Sequence, residues 1–232
     1  MRPVKLIAIT NPITESIVNE HDPGKMSEMS SEDLIAYCAR VSNPSNQNNT
    51  ETSSKLLNYC YRNQHWSIFE MVHLVMEINT TRDIARQILR HRSFSFQEFS
   101  QRYADASQLG FTVREARLQD KKNRQNSIET DDAILKKAWE FKQNQLINET
   151  RMAYKWALEN GIAKEQARAI LPEGNTNSRL YMAGTLRSWI HYCKLRKEEG
   201  TQKEHREIAQ ECWYILCDQF NFIKELDKQE QP

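Results

Sequence analysis

Apolar positions recur along this chain at two periods, and the change from one to the other marks out its elements. The spacing from Val4 to Thr10 suits a strand, ended by Asn11-Pro12. Residues 13–29 are mostly polar and predict a surface excursion. Ser30, with Asp33 three residues on, predicts a capped helix start ahead of Leu34, Ile35, Cys38 and Ala39. The Asn, Pro, Ser and Gln of 43–50 predict a loop, after which Ser53 or Ser54 opens a helix through Leu56, Leu57 and Cys60. Val72, Leu74, Val75, Met76 and Ile78 then predict a buried strand that feeds a helix over 81–89 and a loop beyond it.

The second half is richer in helix. Residues 104–130 are polar, with Arg114, Glu115, Arg117, Asp120, Lys121, Lys122 and Arg124 crowded together, and predict a solvated face. Asp131-Asp132 place acids at the start of a long helix to Asn160, with Gly161 just past its end. Its stripe of Leu135, Ala138, Trp139, Leu146, Ala153, Trp156 and Ala157 predicts core. Residues 173–178 predict a turn, and a helix from about Leu180 to Arg196 buries Leu186, Ile190 and Cys193. A last helix, near 203–222, puts Ile208, Cys212 and Ile215 on one stripe, leaving 226–232 as a flexible tail. No repeat or linker divides the chain, so residues 1–232 are expected to form one domain.

Composition narrows the function. Charge is balanced, 32 basic residues against 31 acidic, so bulk electrostatics gives no reason to expect nucleic acid or an anionic membrane. The N-terminal apolar run is too short for a signal peptide, and no stretch approaches a membrane span. Five cysteines without a CxxC spacing read as buried thiols of a cytoplasmic protein in a reducing environment. No HExxH pair is present, and no catalytic metal is expected.

Against that even background, positive charge is concentrated in one place. Arg82, Arg86 and Arg90 are spaced four apart, which on a helix stacks them on one face, and Arg92 and Arg102 follow. Like charges at that spacing repel by a few tenths of a kcal/mol per pair, so an anion is expected to meet them. The plain alternative is a solvated helix end. Another is a single-stranded nucleic-acid module, with Phe94, Phe96, Phe99 and Tyr103 as stacking platforms between the cations. Balanced charge, together with Gln87 and Glu98, weighs against that alternative.

The detail of the stretch resembles a known signature. Arg90-His91-Arg92, seven residues, then Ser100 is similar to the Arg-His-Arg, seven residues, Ser motif of the flavin-dependent thymidylate synthases. Ala85-Arg86-Gln87, Glu98 and Tyr103 extend the likeness, and so does Ala39-Arg40-Val41-Ser42. His65-Trp66-Ser67-Ile68-Phe69-Glu70 resembles the family's His-x-Ser/Thr-Pro-Phe-Glu, with Ile68 for proline. Gln166-Ala167-Arg168 followed by Leu171-Pro172 resembles Gln-Ala-Arg-x-x-Leu-Pro. Thr185 to Arg196 resembles Asn-x-Arg-Ser-Leu-x-(Asn/His)-Phe-x-x-Leu-Arg, with Thr185 where Asn is usual.

The resemblance implies an α/β (α+β) fold, with a central mixed or antiparallel sheet flanked by long helices. It implies reductive methylation of deoxyuridine monophosphate (dUMP) with 5,10-methylenetetrahydrofolate as carbon donor, FAD as cofactor and NADPH as reductant, in a homotetramer with shared sites. It places Ser67, Arg90, His91, Arg92, Glu98, Thr185, Leu186, Arg187 and His191 at the flavin. It places Gln87, Ile88, Leu89, Arg90, Glu98, Phe99, Ser100, Gln101, Arg102 and Arg168 at the nucleotide, and Arg196 at the uracil ring as the catalytic residue. The rival chemistry, a cysteine thiolate attacking the uracil, needs an activated thiol, and none of the five lies in an activating sequence.

Overall fold

The computed structural model describes residues 3–13, 17 and 29–230. In chain order the elements are β1 (Val4–Ile9), α1 (Ser31–Ala39), α2 (Ser53–Arg62), β2 (His73–Thr81), α3 (Arg82–Ile88) and β3 (Ser95–Glu98). There follow β4 (Arg117–Gln119), β5 (Ser127–Glu129), α4 (Ala133–Glu159), α5 (Lys164–Ala167), β6 (Asn177–Thr185), α6 (Leu186–Arg196), α7 (Lys203–Gln219) and α8 (Asn221–Glu230). The main sheet has the order β1-β2-β6-β3, every neighbour antiparallel. That is the α+β architecture expected, with all pairings antiparallel.

The centre is the β2–β6 pair, whose alternate side chains all point to the core. Leu74 lies opposite Gly184, Met76 opposite Met182 and Ile78 opposite Leu180, and none of these side chains is exposed. Burying each large one stabilises the fold by roughly 1.5–3 kcal/mol. Gly184 is there because Phe94 needs its space: a Cβ would sit 2.5 Å from the Phe94 ring. Phe94 in turn meets Trp189 of α6 edge-on at 4.9 Å. α6 packs on α7 and α7 on α8, while α3 packs against β2, β6 and α7. Trp189, Tyr192, Trp213, Phe220 and Phe222 fill the space between them.

Several expectations hold. Ser30 and Asp33 form a capping box, α2 begins at Ser53, Asp132 caps α4, and Gly161 takes the positive φ of a helix stop. The 43–50 loop contains one short 3-10 turn, Pro44–Asn46. The excursion over 13–29 lies almost wholly outside the described residues.

Others are corrected. The helix expected from Leu180 starts only at Leu186, because Ser178, Leu180, Met182 and Gly184 are buried in alternation with outer Arg179 and Tyr181, a strand period. The loop after α3 contains an edge strand, β3, on β6. Of the α4 stripe Ala157 is buried as expected, but its large residues are not core: Leu135, Trp139, Leu146 and Trp156 are 39–59% exposed. α4 instead turns Gln143, Ile147, Thr150 and Tyr154 inward. Gln143 sets that rotation by binding the Arg114 backbone at both N–H (2.9 Å) and carbonyl (2.8 Å).

Residues 104–130 are not a uniformly solvated run. They contain the β4–β5 ribbon, and Arg114 and Arg117 are drawn in to Glu204, with Arg114 also 2.8 Å from Asp83. The last helix breaks at Phe220, whose backbone is extended. The expected tail is helical as far as Glu230, with Leu226 buried and Asp227 accepting from Trp213 Nε1 at 2.6 Å. Residues 231–232 lie outside the described residues.

Candidate active site

Thr81 passes the chain from β2 directly into α3, whose first N–H groups are met by Thr176 and Glu173 carbonyls. α3 ends at Ile88, and the chain turns tightly, with the His91 N–H on the Ile88 carbonyl (3.0 Å). Arg90 therefore lies past the helix, and the three-arginine stripe does not form. Arg82 pairs with Glu98 at 3.4 Å and Arg86 with Glu173, which offsets the repulsion expected between them. The unmet positive charge moves to Arg90 and Arg92. Both are exposed, and among the described residues neither guanidinium has an ion-pair partner.

The turn is pinned to the first turn of α6. Thr185 caps that helix, accepting from the Ser188 N–H at 3.2 Å, and Ser188 Oγ donates to the Ser93 carbonyl at 3.4 Å. At the far end of α6, Arg196 Nε donates to His91 Nε2 at 2.9 Å. Burial, then the nearby Arg196 charge, pull His91 down to about 4. His91 is thus a neutral acceptor at Nε2, with its proton on Nδ1. With Nε engaged, the two terminal nitrogens of Arg196 have no protein partner among the described residues.

The 3-10 turn Trp66–Glu70 forms a third wall. The Trp66 ring lies 4.5 Å from that of His191, and Arg187 is ion-paired to Glu70. Burial and the Arg187 and Lys194 charges hold His191 below its ordinary value. Ser67 is exposed between these two contacts. Ser67, Gln87, Arg90 to Arg92, Thr185, Arg187, His191 and Arg196 are thus gathered on three adjoining elements. Ile88 and Leu186 are fully buried core, so only their backbone can meet a ligand, and Leu89 is half-buried.

The remaining candidates form a second group. Glu98 accepts from Ser178 Oγ at 2.7 Å and from Arg82. Past half-buried Phe99, the Ser100 hydroxyl accepts from the Arg102 N–H at 3.4 Å. Arg102 pairs with Glu165 at 3.3 Å, and Arg168 Nε donates to the Glu165 carbonyl at 3.3 Å. Gln101 is 4% exposed, and its Nε2 has no partner among the described residues. Among the described residues no hydrogen bond or ion pair joins Ser100, Arg102 or Arg168 to Arg196, His91 or Arg90.

The sequence reading missed His205, Gln202 and Tyr192, which are joined to Gln87 in one polar chain. The signal was present: His205 precedes Ile208 and Cys212 at helical spacing on the buried face of α7. The thiols offer no nucleophile. Cys60, Cys193 and Cys212 are buried, and burial raises all five, Cys217 to about 11. No group of three His, Cys, Asp or Glu able to hold a metal ion occurs among the described residues.

Comparison with known proteins places this geometry. The family described as thymidylate synthase complementing protein matches residues 26–220. A probable flavin-dependent thymidylate synthase of Paramecium bursaria Chlorella virus 1 is 48% identical over 224 residues, 96% of this chain and 98% of that one. The flavin-dependent thymidylate synthase of Synechocystis sp. is 53% identical over 206 residues, 89% of this chain and 90% of that one. In fold, the chain is similar to the UMP/dUMP methylase PolB of Streptomyces cacaoi, bound with 5-Br UMP. The TM-score is 0.74 at 21% identity, covering 96% of this chain and 91% of that one. The chain belongs to the thymidylate synthase complementing protein family, the flavin-dependent thymidylate synthases.

Proposed function

We propose that the protein methylates dUMP at carbon 5 to give dTMP, taking the one-carbon unit from 5,10-methylenetetrahydrofolate and releasing tetrahydrofolate. FAD is its cofactor and NADPH its reductant. The observation that carries the reading is Arg196, held at Nε by a neutral His91 with both terminal nitrogens left over. A planar pair of N–H donors fixed in advance suits a uracil edge on which negative charge grows as N3 ionises and carbon 5 becomes nucleophilic.

The residues present fit FAD. Among the described residues Arg90 and Arg92 have no ion-pair partner, and they suit a pyrophosphate, which a guanidinium binds through two parallel hydrogen bonds. Ser67, Thr185, Arg187 and His191 frame the adjoining wall, and Glu98 completes the set from the sheet edge. When bound, the flavin supplies the hydride that turns the transferred unit into methyl. Arg102 and Arg168 hold the nucleotide phosphate, with Gln87, Leu89, Ser100 and the Ile88, Phe99 and Gln101 segment lining its site. The unpartnered Nε2 of Gln101 is a donor in search of an acceptor. No metal enters this chemistry.

Self-association completes the site. Among the described residues no hydrogen bond or ion pair joins the Arg102 and Arg168 group to the Arg196 group within one chain, and α4 presents Leu135, Trp139, Leu146 and Trp156 outward. Such a face is covered by a further copy in a homotetramer that shares active sites between subunits. No described helix is long and apolar enough to cross a membrane, and we place the protein in the cytoplasm. A single-strand nucleic-acid binder has lost its basis, since Arg82 and Arg86 are taken up by glutamates and Phe94 is buried.

The test is anaerobic incubation of the protein with dUMP, FAD, methylenetetrahydrofolate and NADPH. dTMP should form, and omitting either FAD or the folate should abolish it. No dTMP from the complete mixture would sink the reading.

A further inference from the structure

One polar chain runs from two largely buried arginines to Gln87, and its hydrogen bonds can point only one way. Glu204, beside Arg114 (3.1 Å) and Arg117, is an ionised carboxylate and can only accept. Gln202 therefore turns its NH2 to Glu204 (3.0 Å) and its oxygen to Gln87. Gln87 must then give its own NH2 to Gln202 (2.8 Å), which turns its oxygen to His205 Nδ1 (3.3 Å). His205 must donate there, so its Nε2 is bare and accepts from the Tyr192 hydroxyl (3.1 Å). His205 is fully buried, and burial and then the nearby Arg196 charge pull it down to about 3, so it stays neutral.

An unrestrained glutamine side chain presents its two ends interchangeably. Here one N–H and one lone pair of Gln87 are spent inside the protein, and one of each remains for a ligand in a fixed orientation. We infer that His205 and Gln202 are positioning residues that lock the carboxamide of Gln87 for a pyrimidine nucleotide, with Glu204 setting the polarity of the chain. This rests on the proposed function, in which Gln87 contacts dUMP. A flipped amide would set donor against donor, so the lock acts on nucleotide affinity and leaves the chemical step and flavin binding alone.

The test uses FAD-loaded full-length enzyme and reads the Michaelis constant for dUMP, turnover and flavin content. His205→Leu keeps the buried volume and removes the donor. It should raise the Michaelis constant at least tenfold, with turnover falling less than threefold and flavin content unchanged. His205→Asn places an N–H where Nδ1 was and should return the constant to within threefold of wild type. His205→Gln places its amide near Nε2 and should not.

A packing role predicts the reverse order, Leu tolerated and Asn poor. An unchanged constant in His205→Leu, or Asn no better than Gln, overturns the inference. Should His205→Leu not fold, Gln202→Met at the half-exposed start of α7 removes both the acceptor for Gln87 and the donor to Glu204, cutting the chain at that link, and must give the same rise. A wild-type value there overturns it equally. The wild-type assay separates the two proposals: an inactive wild type refutes the function, whereas an active wild type with indifferent variants refutes the lock alone.

Discussion

At the scale of single residues, charge present before reaction is distinct from charge that appears during it. Arg102 and Arg168 are assigned to a phosphate that is anionic throughout, so Arg168→Ala should raise the Michaelis constant for dUMP strongly and turnover should fall less. Arg196 is assigned to the uracil ring, where charge grows only in the transition state. Its loss should cut turnover by two to three orders of magnitude, about 3–4 kcal/mol, on the scale of one oxyanion donor. Arg196→Lys should recover little, since an ammonium keeps neither the Nε–H to His91 nor the planar terminal pair. Steady-state kinetics on flavin-loaded variants decides this, and an Arg196→Ala defect confined to the Michaelis constant contradicts the assignment. Arg92, with no ion pair to lose among the described residues, should give folded but colourless protein when changed to Ala. Full flavin occupancy in that variant, read by absorbance, removes Arg92 from the flavin site.

At the scale of elements, the site depends on how closely the turn after α3 approaches β6 and α6. Gly184 permits that approach, and Phe94 fills the space against Trp189. A methyl group there must displace a buried ring held against Phe96, Trp189 and Tyr192, a case of overpacking rather than of lost freedom. Gly184→Ala should cost on the order of 1–3 kcal/mol. Because Ser93 and His91 precede Phe94, it should also weaken flavin retention. Urea denaturation with a flavin titration checks both, and a variant as stable as wild type shows that the turn yields freely.

At the scale of the whole molecule, two predictions follow from burial. The apolar face of α4 is expected to pack on a second copy, so Trp156→Glu should shift sedimentation to smaller species and lower flavin content together. A variant with unchanged sedimentation excludes this face from the assembly. The second concerns pH. His91 and His205 titrate near 4 and 3 when folded and near 6.5 when unfolded, so around pH 5.5 unfolding takes up nearly two protons.

Glu32 opposes them. Burial pushes it to about 7, whereas the unfolded group lies near 4.5, so the folded state holds a proton that unfolding releases. From these three groups the net is roughly one proton, and His191, also held below its ordinary value, adds in the same direction, so stability should rise by at least about 1.4 kcal/mol per pH unit near pH 5.5 and be lost on acidification. Glu32→Gln should steepen that slope by nearly one further proton, about 1.2 kcal/mol per pH unit. Urea titrations between pH 5 and 6 measure it, and stability that falls with rising pH there contradicts the neutral histidines.

Much of this was legible from the chain alone, wherever a short stretch contains its own physical cause. The capping box at Ser30, the cap at Asp132, the stop at Gly161 and the buried strand through Leu74, Met76 and Ile78 are local and survived folding unchanged. The Arg90-His91-Arg92 and Ser100 spacing pointed to the family for the same reason, since the signature is a short contiguous stretch. What required the tertiary structure was set by partners far along the chain. Asn177–Thr185 is a strand because β2 and β3 pair with it, although its apolar residues join smoothly to the helix period that follows. α4 turns its polar Gln143 inward because a distant backbone offers it two hydrogen bonds, and its aromatic stripe is left outside. Arg196 meets His91 across 105 positions, and His205 meets Gln87 across 118, separations at which spacing along the sequence carries no information about contact.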